Sequence, residues 1–591
     1  MVTNGEVFAG EARVASRGRP RAIRAPWRIA IAAFCVIVCA LLASNLGRND
    51  LIYGDEALYA ISARNALHGV EFIANPSVKP LGPPGDKPFL YPLLIAAPLG
   101  IEALGDARGP RLVTLLVLMA SAPLLALIGR ALWSPQAGAL ALVLFIASPI
   151  VAHYGRWLRA EIPVMTAVVA TAWAATRAVR TNRARWGFVA GALLGLGFLC
   201  KLWLVAPGAA VIGGVLALSS TGADRRPFRA VVAIALAAAG GFLVVAPAQL
   251  LLCAIVSPET LPHWLYIYFG FSFAERLAGE GYTEAWHQPW DFYFTQIGQM
   301  IGLVLPLAVA GAVALVPRRG DSFARRVAAG LIFGWIVPLV PLSLFSVKSG
   351  GYVLPILPAF FLLAAAGFTS LVASGEEGAR RRDLRLAALV ACVLCAASQF
   401  GAGHALLRPH SPVVAAIQLA WIALMFAASF AARGAAARWC GRALAACFAL
   451  TVAAGVARDA QLVRDASRDI GYAALARRLA PALAGVGPHE PCFIAPAFPA
   501  LSYSLFKTGR YWSVPYAGAE PDFAREALAS EHPFFFVVNV PLGGVYGGAP
   551  DTTLLREIEA RAQPLRRDGP RGPRVFVNDA LAARLRALGI E

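Results

Sequence analysis

Apolar stretches long enough to cross a bilayer recur along most of this chain. A hydrocarbon core about 30 Å thick takes about 20 helical residues. Candidate spans fall at 28–46, 112–130, 136–152, 162–178, 186–200, 203–220, 229–256, 292–316, 327–345, 352–374, 384–402, 412–432 and 438–457. The pair around Lys201 also reads as one bent segment, and the proline-interrupted run 88–104 reads as a helix lying at the outer interface. Only 15% of the 591 residues are charged against 58% hydrophobic, too few to clothe a soluble surface. The expected fold class is therefore a polytopic α-helical membrane protein with about 13 transmembrane helices.

Net charge is +19, and the arginines sit mostly in short stretches between apolar runs. That pattern reads as topology rather than as a nucleic-acid surface. With the basic N-terminus (Arg13 to Arg28) in the cytoplasm, the clusters at 177–185, 225–226, 318–326, 380–385 and 433–442 all fall inside. The outer segments are then 47–111, 153–161, 257–291, 346–351, 403–411 and 458–591. This divides the chain into a basic cytoplasmic tail (1–27), a membrane domain (28–457) and a periplasmic segment (458–591). In the last, short β-rich runs (Cys492–Ala495, Tyr511–Val514, Phe534–Val540, Val575–Val577) alternate with helical patterns (Tyr472–Leu483, Phe523–Leu528, Leu554–Ala562, Leu581–Leu588). Such alternation suggests a small α/β domain. Most of the 9 cysteines lie in or near apolar runs, which argues against a disulfide framework. An uncleaved first span is expected rather than a signal peptide.

The span interiors are nearly free of ionisable residues, unlike those of a proton-coupled transporter. Five chemically interesting stretches instead share the outer side. Asp55-Glu56 opens a helix expected from Glu56 to His68, closed by Gly69. Paired carboxylates supply a general base and an orienting group, and Asp55 equally suits the helix cap. In Pro83-Pro84-Gly85-Asp86-Lys87-Pro88-Phe89-Leu90-Tyr91, Lys87 can hold a phosphate or simply snorkel. Arg156-Trp157-Leu158-Arg159-Ala160-Glu161 places two arginines outside, against the charge rule, with Arg159 free to pair with Glu161 or to bind an anion. His287, before Gln288-Pro289-Trp290-Asp291-Phe292-Tyr293, could ligate a metal or shuttle a proton. Lys348-Ser349-Gly350-Gly351-Tyr352 adds another outer lysine and an interface aromatic.

In order, Asp55-Glu56-x-x-Tyr59, Lys87-Pro88-Phe89-Leu90-Tyr91, Arg111-Leu112, Ser148-Pro149, Arg159-x-Glu161, His287 to Tyr293, and Lys348 through Tyr352 to Pro358 resemble the GT-C superfamily of polyprenyl-phosphate-dependent glycosyltransferases. The branch resembled includes aminoarabinose transferases and protein O-mannosyltransferases. The likeness covers about the first 375 residues. Phe89 stands where the family usually has a second proline, and Glu161 where aspartate is commoner. The resemblance implies a GT-C fold and an inverting transfer from a polyprenyl-phosphate sugar to a lipid, glycan or protein acceptor at the periplasmic face of a bacterial inner membrane. It implies catalytic roles for Asp55, Glu56 and Glu161, and donor-phosphate contacts from Lys87, Arg159, Lys348, Tyr352 and Tyr59. A divalent metal held through Asp86, Glu161 or His287 is compatible with it, though the spacing is no metal signature. Other classes left open are a lipid-linked glycan ligase, polymerase or flippase, or a structural protein.

Overall fold

The computed structural model describes residues 25–47, 88–99, 107–222, 225–256, 258–275, 288–316, 322–372, 386–391, 412–430, 435–465 and 472–483. It also describes separate positions between 56 and 67 and, in the C-terminal stretch, chiefly 493–494, 535–539, 552–565 and 574–590. The expected span 384–402 lies largely outside these residues, as does the expected strand Tyr511–Val514.

The first half runs α1 (Ala25–Ala43), α2 (Leu90–Leu99), α3 (Arg108–Leu132), α4 (Pro135–Ile146), α5 (Pro149–Gly155), α6 (Glu161–Thr181), α7 (Ala184–Lys201), α8 (Ala206–Ser219), α9 (Phe228–Val245) and α10 (Ala248–Val256). After α11 (Leu261–Leu265) comes a π-helix, Tyr266–Glu275. Then follow α12 (Phe292–Ile301), α13 (Leu305–Leu315), α14 (Phe323–Ile336), α15 (Leu339–Leu344), α16 (Pro358–Val372), α17 (Pro412–Phe430) and α18 (Ala435–Asp465). Among the described residues, 6 helices are long and apolar enough to cross a membrane, or 7 if the bent pair Gly350–Ile356 and Pro358–Val372 is one crossing. The molecule is a multi-pass membrane protein.

The ambiguity around Lys201 resolves into an out-and-back pair. Glu161, at the start of α6, meets Lys201 at the end of α7. A Cβ on Gly208 of α8 would meet Leu194 of α7 and Val168 of α6, both well back from that end. Arg226, beyond α8, reaches Val179 O at the far end of α6. Helix α8 therefore returns along α6. The turn is made by a 3-10 stretch, Leu202–Val205, and Leu202 takes φ +42°. A non-glycine residue there costs about 1–3 kcal/mol. The turn holds Lys201 at the end of a buried helix.

Small residues let backbones approach where lipid provides no hydrophobic drive between helices. On α7, Gly187, Gly191 and Gly195 lie against Ile234, Ala238 and Val245 of α9, and a Cβ on Gly191 would fall 1.8 Å from Ala238 O. One end of the bundle is closed by arginines. Arg180 donates to Ala131 O, Arg226 to Val179 O (2.9 Å) and Arg180 O (3.0 Å), and Arg325 to Ala314 O (2.6 Å). Cations at helix C-terminal carbonyls satisfy orphan acceptors and complement the helix dipole. These belong to the arginine clusters read from the sequence as lying on one side. The candidate site occupies the opposite end.

In the C-terminal stretch a four-stranded sheet has the order β1-β2-β4-β3. Strand β1 (Phe493–Ile494) is parallel to β2 (Phe535–Asn539), and β4 (Arg574–Val577) is antiparallel to β2 and to β3 (Gln563–Leu565). Phe535, Phe536, Val575, Phe576 and Val577 are buried. Helices α19 (Tyr472–Leu479), α20 (Thr552–Arg561) and α21 (Asp579–Ala587) accompany it. Asn578 caps α21 by accepting from Leu581 N (3.0 Å).

Candidate functional site

Two arginines hold Glu56 and the end of α1. Glu56 is fully buried, and its carboxylate takes a bidentate fork from Arg111: Nε to Oε1 and Nη2 to Oε2, each 2.9 Å. Leu158 N adds a third bond to Oε1 (2.9 Å). Arg111 also donates to Leu46 O (2.9 Å) and lies over the Trp157 ring at 5.1 Å. Arg156 donates to Leu42 O and to Ser44 O (2.7 Å). Carbonyls at the C-terminal end of α1 are thus capped by guanidinium groups, as its dipole favours. This accounts for Arg156, one of the two arginines that broke the charge rule. The described residues of the expected 56–68 helix are helical, and this clamp fixes them one residue from Asp55.

Tyr59 packs edge-on against Tyr91, with centroids 4.7 Å apart, and both are buried. The Tyr91 hydroxyl lies 2.9 Å from Thr114 Oγ1. Burial pushes the Tyr91 phenol well above its ordinary range, Thr114 opposes this, and the charges of Glu56 and Glu161 raise it further. Tyr91 also has a backbone contact with Arg159. It is the neutral group that joins the Glu56 cluster to the next one.

In that next cluster Glu161, fully buried at the start of α6, accepts from Lys201 Nζ at 2.6 Å. Lys201 is a partner that the motifs did not suggest, and Arg159, two residues before Glu161 in the chain, is half-buried. The Lys201 ammonium lies 5.4 Å from the Tyr352 ring centroid. Gly351 seats directly on the carboxylate, where a Cβ would fall 2.9 Å from Glu161 Oε1. The third and fifth stretches of the sequence therefore meet. Lys348, buried, donates to Gln288 O at 2.7 Å, and Gln288 N donates to Ser346 O at 3.3 Å. Burial lowers the Lys348 ammonium's pKa and Asp291 pulls it back up. The fifth stretch is thereby joined to the segment that follows His287.

Asp55, Asp86, Lys87 and His287 lie outside the described residues. Their chain neighbours Glu56, Phe89 and Gln288 all belong to this end of the bundle. Lys201 is a site residue that the motifs do not contain. Among the described residues no three His, Cys, Asp or Glu side chains gather as a metal site. Glu161, the described member of the suggested metal set, accepts from the Lys201 ammonium through Oε1.

Residues 86–250 match the family described as dolichyl-phosphate-mannose-protein mannosyltransferase. ArnT from Cupriavidus metallidurans in the apo state has a similar structure (TM-score 0.59, 15% identity, 94% of this chain and 98% of that chain). So has the same protein bound to undecaprenyl phosphate (TM-score 0.59, 17% identity, 95% of this chain and 99% of that chain). A slighter likeness, TM-score 0.46 at 17% identity, covers 75% of this chain and 42% of arabinosyltransferase EmbB from Mycobacterium smegmatis. No curated protein matches the chain in sequence. The resemblance read from the sequence holds at the level of fold: this chain has the GT-C fold of an ArnT-like protein.

Proposed function

We propose that this protein is an integral membrane glycosyltransferase that moves a sugar from a polyprenyl-phosphate donor to an acceptor on the periplasmic face of a bacterial inner membrane. The observation that carries the reading is convergence. Glu56, Tyr91, Arg159, Glu161, Lys201, Lys348 and Tyr352 come from separate stretches and gather at the end of the bundle opposite the arginine-capped end. The fold is shared with a protein whose structure holds undecaprenyl phosphate. The donor's tail needs lipid, and its phosphate needs cations at the interface.

In this account Asp55 removes the acceptor's proton as the acceptor oxygen or nitrogen attacks the anomeric carbon from the face opposite the phosphate. The anomeric C–O bond breaks with inversion, and the bonding pair leaves on the polyprenyl phosphate. Lys87, with Arg159 or Lys348, holds the phosphate and takes up the developing charge. Glu56 and Arg111 position Asp55. Glu161, set by Lys201 and Gly351, shapes the pocket beside Tyr352 and Tyr59.

The test is a panel of polyprenyl-phosphate sugars presented to the purified protein in lipid, with mass spectrometry of lipid and acceptor products. Wild type should transfer one of them. Asp55→Asn should insert and fold yet transfer none, and wild-type rates in that variant would sink the assignment.

A further inference from the structure

Gln249, on α10, is fully buried two turns from the candidate-site end of the α9–α10 run. Its Oε1 accepts from Phe89 N at 3.2 Å and from Tyr268 OH at 3.0 Å. A backbone N–H can only donate, so the amide orientation is fixed and Nε2 is the other end. Burial raises the Tyr268 phenol above its ordinary range, with the nearby Cys253 thiol adding to the rise, so it stays protonated and donates as well. Nε2 is buried and has no hydrogen-bond partner among the described residues. A buried donor without an acceptor is costly, and its amide carries two N–H groups.

The position of this donor gives it meaning. Phe89 stands two residues after Lys87. Tyr268 lies on the π-helix Tyr266–Glu275, an irregularity often found at functional sites. The Tyr268 carbonyl accepts from Trp203 Nε1 (2.6 Å), two residues past Lys201. Gln249 thus joins Phe89 to the π-helix and, through Tyr268, to the turn after Lys201. Beside it Trp203, Tyr266 and Phe269 present aromatic surface outward, as a wall suited to an isoprenoid tail.

We infer that Gln249 is a donor-site residue: its carbonyl oxygen holds the Phe89 backbone at the start of α2, and its amide N–H donates to a phosphate oxygen of the lipid-linked donor. The inference rests on the polyprenyl-phosphate reading above. Gln249 adds a neutral donor to a site otherwise held by cations. It also explains why a lone amide persists inside an apolar helix.

The probes are undecaprenyl phosphate and undecaprenol, bound to the purified full-length protein in lipid nanodiscs and read by native mass spectrometry. Undecaprenol shares the tail and lacks the phosphate, so the ratio of the two affinities isolates the headgroup. Gln249→Glu keeps an acceptor for Phe89 and Tyr268 while replacing the N–H end with oxygen. Gln249→Met has similar length and keeps neither contact. Both variants should lose about tenfold or more in that ratio, the scale of a hydrogen bond to a charged group, with undecaprenol binding held in Gln249→Glu. An unchanged ratio in either folded variant overturns the inference. A wild type that binds both lipids equally overturns the polyprenyl-phosphate reading itself, which keeps the two failures distinct.

Discussion

Arg111→Met tests whether Glu56 is part of the scaffold or of the chemistry. Glu56 is 0% and Arg111 3% exposed, so neither charge has water to fall back on. The substitution removes the two hydrogen bonds of the fork and leaves the one from Leu158 N in place. A hydrogen bond to a charged group contributes about 1.5–3 kcal/mol. Two of them give about 3–6 kcal/mol, which spans the about 3–5 kcal/mol expected when one partner of a buried ion pair is removed. The assay is a double-variant cycle with Glu56→Gln, read by denaturant unfolding of the detergent-purified protein and by sugar transfer. Gln still accepts from Leu158 N and carries no charge. The double variant should therefore be more stable than Arg111→Met alone and should regain part of its turnover. Additive losses in stability, or a cost under about 1 kcal/mol for Arg111→Met, would refute the clamp. A double variant as inactive as an inactive Glu56→Gln would place Glu56 in the chemistry.

Other outcomes follow from the same geometry. Gly351→Ala should cut turnover strongly, because its Cβ would press at 2.9 Å on a Glu161 carboxylate already held by Lys201. Gly350→Ala, whose Cβ would meet the side-chain oxygen of Gln296 at 2.9 Å, should be milder, and equal losses in a steady-state assay would contradict this. Lys201→Met takes the ammonium away from a buried carboxylate and should lower both stability and turnover, with Glu161→Gln added to it restoring stability; thermal unfolding of the three proteins checks it. Lys348 carries its charge below its pKa, and burial lowers that pKa from the ordinary 10.5. Activity that needs the ammonium is therefore present at lower pH and fails on the alkaline side at lower pH than an exposed lysine would allow. Lys348→Arg should extend that alkaline limb, and identical pH–rate profiles would count against a role for the charge.

Part of the described cluster was legible because its motifs are local. Asp55-Glu56-x-x-Tyr59, Arg159-x-Glu161 and Lys348 to Tyr352 each sit beside a span end, and the arginine clusters gave their common side. The spans 186–200 and 203–220 bracket Lys201, but its place in the site was hidden because its partner Glu161 lies 40 residues away. Leu202 takes a left-handed φ that sequence gives no reason to expect. Gln249 was hidden because one amide in an apolar run belongs to no motif, and its partners lie 160 and 19 residues away. The pairing of Arg156 with Leu42 and Ser44 is equally long-range, so only its breach of the charge rule pointed to it. Strand β3 (Gln563–Leu565) was missed because three residues with Pro564 inside read as a loop. Hydropathy placed the apolar runs well. Helix ends such as Ala246-Pro247, between α9 and α10, depend on packing that composition does not record.

A polyprenyl monophosphate donor leaves a distinctive lipid product. The purified protein is given its donor and acceptor in lipid, and the lipid released is identified by mass and counted against sugar transferred. One polyprenyl monophosphate should appear for each sugar transferred, from wild type and not from Asp55→Asn. Release of a polyprenyl diphosphate, as from a glycan ligase or polymerase, or movement of the lipid-linked sugar with no glycosidic bond broken, would contradict it.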